Sequence, residues 1–254
     1  MYNSIYDNSE YFKKYLDTIS YTKASKRKIL DTVIDKITLP VNKKVCLLPC
    51  DVGMYYQILK ELEPANEFIL IDKSQIPLKY ISNKNTHTQT KYIKADISEK
   101  FEFQLNFDIA FTFLALQHIK DIEQFFNNVI YSLNKNGVFV IVTFSDSDIN
   151  NNIMSEFFGN NEHSFHTSRD IENNLYKSGF QNIETAEISF DIEIKENEIP
   201  FIFNKFSNSF LYKQTQEKIG DFYQFLKDKV IEGFLKVNHN YTLIIAKTYS
   251  NEYN

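Results

Sequence analysis

At 254 residues, 43% of them hydrophobic, the chain can bury one full α/β core with room for a helical subdomain. Its net charge of −5 argues against a dedicated nucleic-acid binder, which presents a basic face, and no run of 18 apolar residues is there to cross a membrane. The polar, tyrosine-rich N-terminus offers no apolar stretch for a secretory signal. Cys46 and Cys50 are too close for a useful bridge and too few for a metal cage, so free thiols in a reducing cytoplasm are expected.

Residues 8–37 carry two amphipathic segments, Tyr11-Phe12…Tyr15-Leu16…Ile19 and Leu30, Val33, Ile34, Ile37, which predict N-terminal helices ending before Pro40. In Lys44–Lys60, KVCLLPCDVGMYYQILK, an apolar run breaks at Pro49-Cys50-Asp51-Val52-Gly53. It resumes at helical spacing through Tyr56, Leu59 and Leu62. That is a strand, a tight turn and a helix, the unit that opens nucleotide-binding α/β domains. About 20 residues on, the run Phe68–Ile71 ends in Asp72, where such folds place a ribose-holding carboxylate. The turn has one glycine where a phosphate cradle wants three, which points to a cofactor with a ribose but no pyrophosphate.

Further strands are expected at Lys91–Lys94, Phe107–Phe113 and Val138–Phe144, and helices at Ser74–Ile81, Asp121–Leu133 and Thr167–Ser178. Asn134–Gly137 reads as a turn with Gly just past a helix end. The β-α-β order implies a doubly wound, mostly parallel sheet with helices on both faces. Ile183–Ile194 alternates polar and apolar residues, and Tyr241–Thr248 is a last strand. Together they suggest an antiparallel hairpin, interrupted by an aromatic-rich helical insertion. The expected organisation is one domain: N-terminal helices over 1–40, a core sheet over 41–195 and 237–250, and a helical cap over 196–236.

These residues resemble the class I S-adenosylmethionine-dependent methyltransferases, over roughly Lys44 to Thr248. VCLLPCDVG is similar to the family's first motif, ILIDKS to its second strand, and YIKADIS to the segment that reaches the adenine. FDIAFTFLALQHIKDIEQFFNNVIYSLNKNGVFVIVTF resembles its fourth strand, following helix and fifth strand. The resemblance implies a Rossmann-like fold, S-adenosylmethionine as cofactor and methyl transfer as the activity. It assigns cofactor binding to Pro49, Cys50, Asp51 and Gly53 in the turn, and to Asp72 on the ribose with Lys73 beside it. Asp96 would reach the adenine, with Ile97 adjacent, and the main chain of Phe113 or Leu114 the methionine moiety. The first motif departs from the family's pattern: Leu47 stands where an acid is usual, and Asp51 where a glycine is. Asp51 puts a carboxylate where backbone approaches the ligand, and Asp tolerates positive φ better than most residues.

His118 follows the fourth strand and has the pKa range of a general base for a hydroxyl or carboxylic acid. Its structural alternative is a histidine bonded to the loop and to Asp121. Acceptor contacts are expected from Gln117, His118, Phe206 of the aromatic insertion, and Tyr11 and Tyr15, which close over the site if the N-terminal helix does. Glu162, His163 and His166 have metal-like spacing, but Thr167-x-x-Asp170 explains it as a helix-start capping box, so no metal is expected. The acidic balance and aromatic cap favour a small-molecule acceptor over a nucleic acid, and no membrane partner is expected. Two alternatives stay open: a catalytically degenerate binding or partner subunit, and an RNA-modifying methyltransferase.

Overall fold

In the computed structural model, the described residues are 9–39, 41–100, 105–145, 148, 153, 156–159, 166–200 and 215–248. Side chains at 9–11, 13–15, 17–24 and 216 are excepted. The two N-terminal amphipathic segments are one helix rather than two, α1 (Ser9–Lys36). Neither Pro nor Gly separates them, so nothing in the intervening sequence ends the hydrogen-bonded ladder. The chain continues as β1 (Lys44–Leu47), α2 (Met54–Leu62), β2 (Glu67–Asp72), α3 (Gln75–Lys84), β3 (Thr90–Lys94) and β4 (Phe107–Phe113). Then come α4 (Ile122–Ser132), β5 (Leu133–Phe144), α5 (Ser168–Lys177), β6 (Gln181–Lys195), α6 (Gln216–Lys227) and β7 (Phe234–Lys247).

The strands form one sheet in the order β3-β2-β1-β4-β5-β7-β6. β1 to β5 pair in parallel, and β7 runs antiparallel between β5 and β6. Period-two alternation divides the core. Val45, Leu47, Phe68, Leu70, Phe111 and Val142 pack with α1, α2 and α3 on one face. Cys46, Leu48, Ile69, Ile71, Ala110 and Ile141 pack with α4 and α5 on the other. Both faces are apolar because both are covered. Strand order reverses between β1 and β4, and in doubly wound sheets ligands bind outside the carboxyl ends of the strands at that point.

The expected turn at Asn134–Gly137 is an interruption at the start of β5. Phe107 pairs with Leu133, and the next partners are Ile109 and Val138. The left-handed residue is Asn136 (φ 62°), not the glycine. Gly137 is required for space, since a Cβ there would lie 2.7 Å from the Asn134 carbonyl oxygen.

β7 starts at Phe234, before the expected boundary near 237, and its first half outruns β5. Only Tyr241–Lys247 pair with β5, whereas pairing with β6 extends back to Phe234. The protruding end of the hairpin carries its own core, in which Ile194, Ile199, Leu235 and Val237 pack with Phe222 and Leu226 of α6.

Candidate functional site

Backbone hydrogen bonds hold the turn after β1 between its neighbours: Leu48 N–H donates to the Phe111 carbonyl (3.0 Å) and Cys50 N–H to that of Ile71 (2.9 Å). The Leu48–Pro49 peptide is cis. Asp51 adopts a left-handed conformation (φ 52°), the tolerance expected of an aspartate. Gly53 is also left-handed (φ 78°), and a Cβ there would meet Ile81 Cγ1 at 2.8 Å. The space its missing side chain leaves is therefore filled by α3. Cys50 is buried with its thiol pushed up by burial, as is that of Cys46, so neither is a ready nucleophile.

Asp72 ends β2 at 3% exposure. Its Oδ1 accepts from Ser74 N–H (2.9 Å) and its Oδ2 from Asp51 N–H (3.3 Å). Burial pushes its pKa up to about 7, the Ser74 N–H opposes this, and the Asp51 charge adds to it. Lys73 beside it is exposed. Asp96, past β3, is half-buried and accepts from Ser98 N–H (2.9 Å). Ile97 is buried in the core, its carbonyl accepting from Asn128 Nδ2 (3.0 Å).

At the end of β4, Phe113 stacks on Tyr55 of α2 with ring centroids 3.8 Å apart. Leu114 is left-handed (φ 50°), a conformation that costs a leucine on the order of 1–2 kcal/mol. Its N–H donates to Val142 O (2.7 Å), and its carbonyl accepts from Gln117 Nε2 (2.8 Å). Gln117 Oε1 is buried with no partner among the described residues. His118 is exposed and bonds its own loop, its N–H donating to Ala115 O (2.9 Å). The Asp121 carboxylate accepts instead from Gln124 N–H (2.8 Å), capping α4. Desolvation and the Lys73 charge lower the His118 pKa against an opposing pull from Asp51, which favours neutral imidazole.

Asp51 is the centre of this arrangement. Its charge acts on Cys50, Tyr55, Asp72 and His118, which brings the β1 turn, α2, the end of β2 and the loop after β4 into one site. Three features escaped the sequence reading. Lys26 of α1 reaches Asp51 Oδ2 (3.3 Å) and lies 5.3 Å from the centroid of the Tyr55 ring. The Tyr55 hydroxyl is buried without a partner among the described residues. His239 Nδ1 meets Asp148 Oδ2 at 3.2 Å, both side chains buried, beside the carboxyl end of β5. Lys26 did leave a signal: it lies three, four and seven residues before Ile29, Leu30 and Val33, on the apolar stripe of α1. Asp148 and His239, 91 residues apart, left none.

Phe206 lies outside the described residues, as do Glu162 and His163; of Tyr11 and Tyr15 only the backbone, on α1, is described. The Thr167–Asp170 capping box is present at the start of α5. Among the described residues no cluster of three or more His, Cys, Asp or Glu is arranged for a metal, and no helix is long and apolar enough to cross a membrane.

Residues 41–187 match the sequence profile of a family described as "Methyltransferase domain". No curated protein sequence matches the chain. Among solved structures, a Bacillus halodurans protein assigned to the methyltransferases is 18% identical, with a TM-score of 0.64 over 87% of this chain and 99% of the other. Phosphoethanolamine N-methyltransferase 2 of Haemonchus contortus, solved with phosphomonomethylethanolamine and S-adenosylhomocysteine, is 17% identical with a TM-score of 0.57. That match covers 87% of this chain but only 52% of the Haemonchus protein. The cyclase SpnF is 12% identical, with a TM-score of 0.58 over 89% of this chain and 81% of the other. These likenesses show the fold. Because the matched profile runs from β1 into β6 and spans more than half of the chain, the protein belongs to the class I S-adenosylmethionine-dependent methyltransferases, whose cofactor is S-adenosylmethionine.

Proposed function

We propose that this methyltransferase acts on an oxygen or nitrogen nucleophile of a small cytoplasmic molecule, with His118 as the base. The observation that carries the reading is the position of His118: exposed, kept toward neutral, and within the electrostatic reach of Asp51 and Lys73. The residues fit the cofactor. Asp72 is a buried carboxylate whose two oxygens accept from Ser74 N–H and Asp51 N–H, each with a lone pair to spare, and a ribose diol brings two hydroxyl donors. Asp96 suits an exocyclic amine, and the orphaned Gln117 Oε1 wants one further donor. When bound, S-adenosylmethionine supplies an electrophilic methyl group on a sulfonium.

The chain's own contribution is alignment and proton removal. Holding the nucleophile in line in a site closed from water supplies most of the acceleration, with effective molarities of about 10⁵ M or more. Neutral His118 takes the proton that the nucleophile loses, a role worth about 10²-fold or more. The net charge of −5 and the aromatic packing of the insertion support a small acceptor over a polynucleotide. The Haemonchus relative, bound to a phosphorylated amine, is in keeping with one.

Titration calorimetry with S-adenosylhomocysteine tests the cofactor, and mass spectrometry of what co-purifies tests the acceptor. Absence of binding at millimolar ligand sinks the reading. His118→Asn is expected to lower kcat about 100-fold and abolish the acid limb of its pH profile, leaving S-adenosylhomocysteine affinity unchanged.

A second reading, a fold that binds without transferring, draws on the Asp51 carboxylate in the turn. The fold alone does not guarantee methyl transfer, as the cyclase neighbour illustrates. Tighter S-adenosylhomocysteine binding in Asp51→Gly would favour this reading; weaker binding would make Asp51 a working ligand.

A further inference from the structure

We infer that Gln117 is a positioning residue that sets the tautomer of His118, keeping the ring proton on Nδ1 and the lone pair on Nε2. This rests on the reading of His118 as the base, and it names the atom that receives the proton.

The amide is oriented by the loop. Gln117 Nε2 donates to the Leu114 carbonyl at 2.8 Å, a distance that two carbonyl oxygens would not share, so the NH2 end of the side chain faces Leu114. The same nitrogen lies 3.4 Å from His118 Nε2. With one N–H committed to Leu114, the other is what the imidazole nitrogen meets. A neutral imidazole has a single N–H, and a ring nitrogen that faces a donor keeps its lone pair, which leaves the proton on Nδ1.

The backbone around the pair is tightly fixed. Leu114 is held in its left-handed conformation (φ 50°) with its N–H bonded to Val142 O at 2.7 Å, and such an outlier persists where its surroundings over-determine it. A 3₁₀ turn over Leu116–His118 carries both side chains, closed by N–H bonds from His118 to Ala115 O (2.9 Å) and from Ile119 to Leu116 O (3.0 Å). Gln117 Oε1 is buried with no partner among the described residues. That orphaned acceptor accompanies an amide held by its nitrogen alone. Turned over, the side chain would set its oxygen against the Leu114 carbonyl.

At 3.4 Å the contact is long for a hydrogen bond, so it orients the lone pair without withholding it. The proton lost from the O–H or N–H of the nucleophile forms the Nε2–H bond and leaves an imidazolium. That cation faces the Gln117 N–H donor to donor, which favours release of the proton to water. Two charges also act on the ring: Lys73 past β2 disfavours the cation, and Asp51 in the turn favours it. The Asp121 carboxylate in the same loop is taken by Gln124 N–H.

Heteronuclear NMR of the imidazole nitrogens tests this without any acceptor. The chain has five histidines, and the signals lost in His118→Asn identify the one of interest. In the wild-type protein, above its pKa, His118 is expected in the Nδ1–H form. Gln117→Met, which removes the donor at similar volume, is expected to move the proton to Nε2 and raise the His118 pKa by about 0.5–1. Gln117→Glu, which places an acceptor there, is expected to do both more strongly, and it serves alone if the Met variant does not fold. An Nε2–H form in the wild type, or a tautomer and pKa unchanged in the folded variants, would overturn the inference. Unchanged kcat in His118→Asn would instead remove the base reading and with it the use of the lone pair in the reaction, whatever the tautomer, so the two failures are read separately.

Discussion

The carboxyl edge of β1 and β2 and the protruding end of the β6–β7 hairpin are built on opposite principles. At the first, a few charged groups are held at fixed points by main-chain N–H bonds and an ion pair from α1 to the turn. At the second, Phe157, Phe158, Phe222 and Phe225 pack ring against ring with centroids 4.7–6.4 Å apart, and position comes from filled volume. In the first, position depends on single atoms. The second is a scaffold in which size and shape matter more than any one polar contact.

The sharpest way to separate the two is to remove a ring from the hairpin end. Phe222→Ala empties a fully buried site and should destabilise that end by about 3–5 kcal/mol. Hydrogen exchange should show the outer halves of β6 and β7 opening, with S-adenosylhomocysteine affinity changed less than twofold. An equal loss of affinity would show that the regions are one cooperative unit.

The converse change is Asp72→Asn. Two hydrogen bonds to a charged acceptor are worth about 1.5–3 kcal/mol each, so calorimetry should record a drop of about 100-fold or more in S-adenosylhomocysteine affinity. The unliganded protein should melt no lower at neutral pH, because the ionised carboxylate is held against its own desolvation.

Gly53→Ala tests whether the turn is set by backbone and packing. The left-handed φ and the clash with Ile81 should together cost about 2 kcal/mol in chemical denaturation. Adding Ile81→Ala should relieve the clash and not the backbone term. Complete rescue by the second substitution would assign the whole cost to packing.

The remaining effect is in pH, and it is spread over several units. The folded pKa of Asp72, about 7, lies above its ordinary value of 3.8, so its contribution to stability is full below pH 3.8 and is lost as pH rises to about 7. The difference between wild type and Asp72→Asn should therefore slope against wild type through that window, by no more than about 1.4 kcal/mol per pH unit. Hydroxyl donors favour the ionised form, so S-adenosylhomocysteine affinity should rise by up to about tenfold between pH 6 and 8. Proton release should appear in calorimetry as a dependence on buffer. A flat profile would show that Asp72 is ionised throughout.

Much of the carboxyl edge of the sheet was legible in the sequence because its elements are local. A strand, a broken turn and a carboxylate about 20 residues on are fixed by chain order, and the structure puts Asp72 at the end of β2 and Asp96 just past the neighbouring parallel β3. The turn at Asn134 was misjudged because Gly looked like a cap; long-range pairing of β5 against β4 and β7 continued the strand instead. His118 was assigned a possible bond to Asp121, but that carboxylate lies nearer the unsatisfied N–H groups of α4, which compete successfully for it.

By itself, the amino-acid sequence determined the order of strands and helices, the two-faced sheet, and the carboxylates at its edge, since hydrophobic period and turn chemistry act over a few residues. The tertiary structure alone decided that Asp51 is paired with Lys26, that Gly53 makes room for Ile81, and that Asp148 meets His239. Each of these joins residues far apart in the chain. Such pairs are settled by which buried charge or volume finds its complement once the layers close.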